Sequence, residues 1–173
     1  MTKTLDLSRL DLQDALDLAI LVEDEAKERY DELAAQMEAH HTADAAAFFH
    51  FMSGNEARHG EELAARRKQL FGDAPRRVDA SMVWEIEAPE YEAVHAFMTL
   101  HEALTVAMAA EVKAHWFFTD ALKLPMADPV RQLFLELQEE EIHHQELVSR
   151  ELAKLPPDEA APPEEFADEP VSQ

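Results

Sequence analysis

Apolar residues recur at alternating spacings of three and four along four long stretches of the chain, and the helix breakers fall between them. This period places one side of each stretch against a core and predicts amphipathic helices. The first runs from about residue 11 to 39, ending at His40-His41-Thr42. The second runs from about 44 to 71 and stops at Gly72-Asp73-Ala74-Pro75. The third is expected from about Pro89, a residue suited to a first helical turn, to Leu122. The fourth follows Pro125-Met126-Ala127-Asp128, from about Pro129 to Leu155, and halts at Pro156-Pro157. Two of the connections are short and imply antiparallel helix pairs, whereas residues 72–88 must cross between the pairs. The pattern predicts an all-α four-helix bundle over residues 1–155.

The informative positions are those that break the stripes. The first stripe reads Leu12, Leu16, Ala19, Glu23, Ala26, Tyr30, Leu33, Met37, with Glu23 its only charge. The second reads Ala45, Phe49, Met52, Glu56, His59, Leu63. The third reads Val94, Phe97, His101, Leu104, Met108, Glu111, His115, Phe118, Leu122, and the fourth Val130, Phe134, Leu137, Glu141, His144, Val148, Leu155. Each helix turns a carboxylate inward. An ionised carboxylate buried alone costs several kcal/mol, so four in one core need a shared cationic partner. Two divalent metals supply it.

Height along the bundle is a separate test. Glu23 lies 18 residues before His41 and Glu56 lies 15 after it, so at about 1.5 Å per residue they differ by about one turn. Glu111 lies 15 residues before Met126 and Glu141 lies 15 after it. The four carboxylates form one layer. Residues three apart on a helix face the same way, so Glu-x-x-His lets a carboxylate and an imidazole grip one metal. The chain has five such pairs where chance supplies about one. Glu38/His41 and Glu92/His95 lie turns away from the layer. The run Glu139-Glu140-Glu141-Ile142-His143-His144 offers both Glu140/His143 and Glu141/His144. Periodicity favours the second, because counting back from Glu141 meets Leu137, Phe134 and Val130, whereas counting back from Glu140 meets Glu136, Leu133 and Pro129. The halves also match: Glu23 stands seven before Tyr30 and Glu111 seven before Phe118, with Ala26 and Ala114 in register, as in a duplicated helical hairpin. His115, a turn beyond Glu111, is a candidate further ligand. Tyr30 is read as core or as a hydrogen-bond partner of a carboxylate from another helix, and Phe48, Phe49 and Phe51 as core.

Composition narrows the chemistry. With 15 basic and 37 acidic residues the net charge is −22, which disfavours nucleic acid and anionic membranes as partners. There is no cysteine, so disulfides, thiol catalysis and thiolate-ligated metals are excluded from this sequence and a metal here must sit on carboxylates and histidines. Residues 156–173, rich in proline and acid, are expected to form a disordered tail, with Phe166 a possible docking point. Six of the net negative charges belong to that tail. The first residues, with Asp6 and Asp11 and no apolar run, do not read as a signal or transit peptide, and a cytoplasmic location is expected. Arg66, Arg67, Lys68, Arg76 and Arg77 concentrate near the long connection and are read as a solvated helix end pairing with acidic neighbours or as a subunit contact.

One Glu from each of two helices with Glu-x-x-His from the other two is the ligand set of ferritin-like di-iron carboxylate proteins. Within that group the chain resembles the rubrerythrins, through Glu23-x6-Tyr30, Glu56-x-x-His59, Glu111 and Glu141-x-x-His144, over roughly residues 11–155. The resemblance implies two irons, with manganese the alternative, and an oxidoreductase that reduces hydrogen peroxide or O2 or oxidises ferrous iron. It implies Glu23 and Glu111 as single-helix carboxylates, Glu56 and Glu141 as bridges, and His59 and His144 each capping one metal. Rubrerythrins carry a rubredoxin module with four cysteines, absent here, so an external donor, rubredoxin-like or another reductase, is expected. They also place a Glu where this chain has Ala114. A homodimer is expected; an iron-storage or iron-delivery protein is the alternative reading, with a di-iron monooxygenase and a metal-free interaction bundle behind it.

Overall fold

The computed structural model describes residues 5–82, 86–90, 95 and 97–156. Four long helices carry the fold: α1 (Leu12–Ala39), α2 (Ala43–Phe71), α3 (Leu100–Ala121) and α4 (Asp128–Leu152), with single 3-10 turns at Leu7–Arg9 and Ala80–Met82. No strand occurs among the described residues. α1 packs along α2 and α3 along α4, the two antiparallel pairs of a ferritin-like four-helix bundle.

Local chemistry sets the helix ends. Asp11 and Asp14 form a reciprocal capping box, the Asp14 amide donating to Asp11 at 3.0 Å and the Asp11 amide to Asp14 at 3.2 Å. His41 takes a left-handed φ of 61° in the tight α1–α2 turn, and Gly72 takes φ 59° after α2, a conformation that suits glycine. The third helix begins at Leu100, not at Pro89. A second capping box, Thr99 with Glu102, fixes that start, and Phe97 just before it has φ 65°, outside any helix. Phe97 was expected on the inward stripe but is 69% exposed, its ring against His40. Pro89 instead lies in a non-helical stretch of the crossover. The fourth helix ends at Leu152, with a turn carrying on to Leu155. Val94, Glu92 and the tail with Phe166 lie outside the described residues.

Two apolar clusters fill the bundle. One gathers Leu16, Ile20, Leu63, Phe118, Val130, Phe134 and Leu137. The other gathers Tyr30, Met37, Phe49, Met52, Leu104 and Val148. Between them, on every helix, lies the polar layer. The first cluster is flanked by a buried ion pair: Arg67 Nε donates to Asp17, which is fully buried and also accepts the Arg77 amide at 3.0 Å. Other members of that basic group pair at the surface, Arg66 with Glu136 at 2.6 Å and Arg77 with Asp11 at 2.6 Å.

Candidate metal centre

Each helix delivers its polar residues to the layer by the same periodicity that builds the core. Glu23 follows Leu16 and Ala19 on α1; Glu56 and His59 follow Met52 on α2; Glu111 follows Leu104 on α3; Glu141 and His144 follow Leu137 on α4. All six are buried, with exposures from 0% for Glu56 and Glu111 to 8% for His59. Gly60 sits against Glu23, whose Cβ lies 3.5 Å from where a Cβ on the glycine would stand, so α1 and α2 run close together at this level.

The side chains meet in three overlapping groups, each with one ligand atom per residue and all those atoms within 4.8 Å of one another: Glu56, His59 and His144; Glu56, Glu87, Glu111 and His144; and Glu23, His59 and Glu140. Glu141 is buried beside Glu111 at the same level but stands outside these three groups. The His59 and His144 rings stack with centroids 4.9 Å apart. His144 Nδ1 lies 3.0 Å from Glu111 Oε2, and the Tyr30 hydroxyl donates to Glu111 Oε1 at 2.9 Å. Of the two sequence alternatives on α4, Glu141 and His144 point inward. His143 is exposed with Nδ1 against the Glu139 carbonyl at 2.9 Å, while Glu140, half-buried, nevertheless reaches Glu23 and His59 from its flank. His115 is half-buried and packs edge-on against Trp116.

Most of these polar atoms have no partner. Among the described residues, the buried side-chain atoms without a hydrogen bond are Glu23 Oε2, both oxygens of Glu56 and Glu87, His59 Nδ1, Glu141 Oε2, His144 Nε2 and, outside the layer, Asn55 Nδ2. Buried polar groups in folded proteins are nearly always satisfied, so a cluster of unsatisfied acceptors in one place marks a site built for something else. Facing carboxylates can be joined only by a proton or a cation. The hard oxygens and two imidazoles of this set fit iron or manganese.

The electrostatics carry the same mark. Burial pushes the Glu23 carboxyl up to about 8, with the charges of Glu140 and Glu111 adding to the rise and Glu56 and His144 opposing it. Glu56, Glu87 and Glu141 are raised well above the carboxylate range by burial first and then by neighbouring charge, that of Glu23 and Glu111 on all three and that of Glu87 on Glu56 and Glu141. Burial, aided by His144 and Arg58, lowers His59 to about 4. For His144 burial works downward, but its bond to Glu111 and the surrounding carboxylates outweigh it and the pKa rises. Tyr30 is held protonated well above its ordinary range by burial and by Glu111 and Glu56.

Glu87 is the residue that sequence reasoning missed. It lies on the crossover, where no helical period applies, and its only signal was an acidic residue between Ile86 and Ala88 in the stretch read as the connection between the helix pairs. A groove of about 220 Å³ between α2 and α4, lined by His59, Glu62, Leu63, Arg66, Leu133, Glu136, Leu137 and Glu140, leads from the exposed Glu62 to His59 at the layer. No helix among the described residues is long and apolar enough to cross a membrane.

The rubrerythrin family model matches residues 14–152. No curated protein matches the chain. A crystal structure at 2.00 Å resolution of an uncharacterized conserved protein from Magnetospirillum magnetotacticum MS-1 is 32% identical, with a TM-score of 0.63 over 85% of this chain and 97% of that one.

Proposed function

The chain belongs to the rubrerythrin family, and from that premise we propose that it is a non-haem di-iron oxidoreductase reducing hydrogen peroxide, or O2, as a diferrous centre is oxidised. The observation that carries this reading is the layer of unpartnered buried carboxylate and imidazole atoms, contributed by α1, α2 and α4 and closed by Glu111 of α3. Glu23, Glu56, Glu111 and Glu141 with His59 and His144 would hold two metals, iron or manganese. Bound there, an iron pair would supply the two electrons that an O–O bond takes up.

The protein's own part is orientation and water exclusion. The Tyr30 hydroxyl fixes the Glu111 carboxylate. Burial and the neighbouring carboxylates keep that phenol protonated, so the hydrogen bond to Glu111 persists across the working pH range. The apolar clusters on either side of the layer exclude bulk water. The α2–α4 groove gives a small oxidant a path to His59 and Glu140. With no cysteine in the sequence, electrons are proposed to come from an external donor, a rubredoxin-like protein or another reductase.

The same groove favours a second reading, Fe(II) oxidation for iron storage or delivery, because Glu62 and Glu140 along it attract cations, Glu136 being paired with Arg66. We further propose a homodimer in the cytoplasm. Exposed Leu135 and Ile142, seven apart on α4, offer apolar surface to a second copy.

Anaerobic addition of Fe(II) to the apoprotein, followed by peroxide or O2, tests the reading, with metal content and particle size measured alongside. Two irons per chain, a small oligomer and faster reaction with peroxide support the peroxidase. Many irons per chain in a large particle would support storage instead. Absence of metal uptake, or uptake unchanged in the Glu56→Ala, His59→Ala double variant, would overturn both.

A further inference from the structure

Glu87 sits on the crossover between the helix pairs, yet it is 1% exposed, and among the described residues no N–H or hydroxyl donates to either of its carboxylate oxygens, which face the carboxylate of Glu56 instead. Its ligand atom lies within 4.8 Å of those of Glu56, Glu111 and His144. A carboxylate on a connecting segment is ordinarily solvated, and nothing in the backbone period requires this one to point inward. It is held there. Lys113 Nζ of α3 donates to the Ala88 carbonyl at 2.8 Å, and Arg29 Nη1 of α1 donates to the Pro89 carbonyl. The two residues after Glu87 are thus gripped by one cation from each helix pair, and Ala88 and Pro89 are themselves buried.

We propose that Glu87 is a metal ligand, supplied by the crossover rather than by a helix, and that Arg29 and Lys113 are positioning residues that press it into the centre. The proposal rests on the di-metal reading above and adds to the six helical ligands one that the bundle alone cannot supply. Glu87 closes the centre on the side where α1 and α3 grip the crossover, leaving the α2–α4 groove as the approach. Metal binding and the order of residues 86–90 are then one equilibrium: a cation bound by Glu87 tightens the segment, and loosening the segment weakens the cation's site.

A ligand and a purely structural buried acid differ in the sign of their effects. Glu87→Gln removes a carboxylate from a crowd of carboxylates at nearly constant volume, so the metal-free variant melts at or above the wild-type temperature. Its affinity for Co(II), used as the sole probe metal, falls at least tenfold at one of two sites, and the visible absorption of the Co(II) protein changes shape. In wild-type protein, Co(II) slows hydrogen exchange in the peptide spanning 86–90, and Lys113→Met reduces that protection while two Co(II) still bind. Wild-type Co(II) affinity and spectrum in Glu87→Gln would overturn the proposal, as would exchange of residues 86–90 indifferent to metal in the wild type. Failure of the wild type to bind Co(II) at all would overturn the di-metal reading itself, so the two failures are told apart by the wild-type titration.

Discussion

Between pH 6.5 and 8 the metal-free protein should lose stability, and the structure sets both sign and size. Glu23 titrates at about 8 in the folded chain against 4.5 when unfolded. Over this window the native state therefore holds a proton that the unfolded chain has released, and stability falls as pH rises. The stability from a raised pKa is fully present below 4.5 and lost progressively up to the folded value. At about 1.4 kcal/mol per pH unit, less the partial ionisation near the folded pKa, Glu23 alone contributes a loss of about 2 kcal/mol between pH 6.5 and 8. Glu56, Glu87, Glu141 and His144 have raised pKa values and act in the same direction. His59, lowered to about 4, acts oppositely, but only below 6.5, where its neutral burial costs stability as the unfolded imidazole takes up a proton. The window above 6.5 thus leaves His59 aside and reads the carboxylates together with His144. For a chain of this length about 2 kcal/mol corresponds to a melting temperature lower by roughly 4–8 °C. Thermal melts of chelator-treated protein at pH 6.5, 7.2 and 8, repeated with Mn(II), measure it. Metal should reverse the slope, since each cation displaces protons and binds more tightly as pH rises. Glu23→Gln should make the metal-free slope shallower by that residue's share. Metal-free stability that is level or rises across this window would refute the reasoning.

Tyr30→Phe removes the donor to Glu111 Oε1 and leaves that oxygen buried. The expected cost is about 1–3 kcal/mol in urea unfolding of the metal-free protein, with a slower reaction of the iron-loaded form in stopped-flow absorbance. Asp17→Ala strands the Arg67 guanidinium beside the first apolar cluster, and a loss of about 3–5 kcal/mol is expected by urea denaturation, far more than for Asp11→Ala at the exposed Arg77 pair. Glu62→Lys reverses a charge at the outer end of the α2–α4 groove. Stopped-flow Fe(II) uptake should slow severalfold at low ionic strength, converge with wild type at about 1 M salt, and reach the same final stoichiometry.

How far the sequence could be read follows from which physical constraint acts on each residue. Glu23, Glu56, His59, Glu111, Glu141 and His144 lie on stripes whose apolar neighbours fix their rotation, and the short turns at His41 and Met126 fix their height; the structure finds all of them buried in one layer. The start of α3 was misread because Pro89 is compatible with a first turn. The stronger local signal was the Thr99–Glu102 capping box, whose reciprocal hydrogen bonds outweigh a residue that is merely permitted. Glu140 ranks below Glu141 in the sequence because a stripe treats a helix face as a line, whereas a long flexible carboxylate one position round the helix still reaches His59. Asp17 escaped for a related reason: its partner Arg67 stands 50 residues away in sequence, and no spacing rule joins them. Glu87 had no period to place it at all. Its position depends on tertiary hydrogen bonds from Arg29 and Lys113 to backbone carbonyls, which leave no trace in side-chain pattern.

Adding Glu87 alters the charge balance of the centre. Four helical carboxylates and two neutral imidazoles balance two divalent cations. A fifth buried carboxylate leaves one negative charge in excess, in a region where apolar clusters on both sides keep the effective dielectric low. That excess is relieved if one proton stays within the group or if the cations gain charge. Loading with divalent metal near neutral pH should therefore release fewer protons than there are carboxylates, and oxidation of a bound iron pair by ferricyanide, which takes up electrons without protons, should release the remainder. Proton release measured in weakly buffered solution, first on anaerobic Fe(II) loading and then on oxidation, separates the two steps. In Glu87→Gln the second release should shrink relative to the first. A second release that Glu87→Gln leaves unchanged would mean that the excess charge is settled elsewhere, with Glu140 at the inner end of the groove the next carboxylate to substitute.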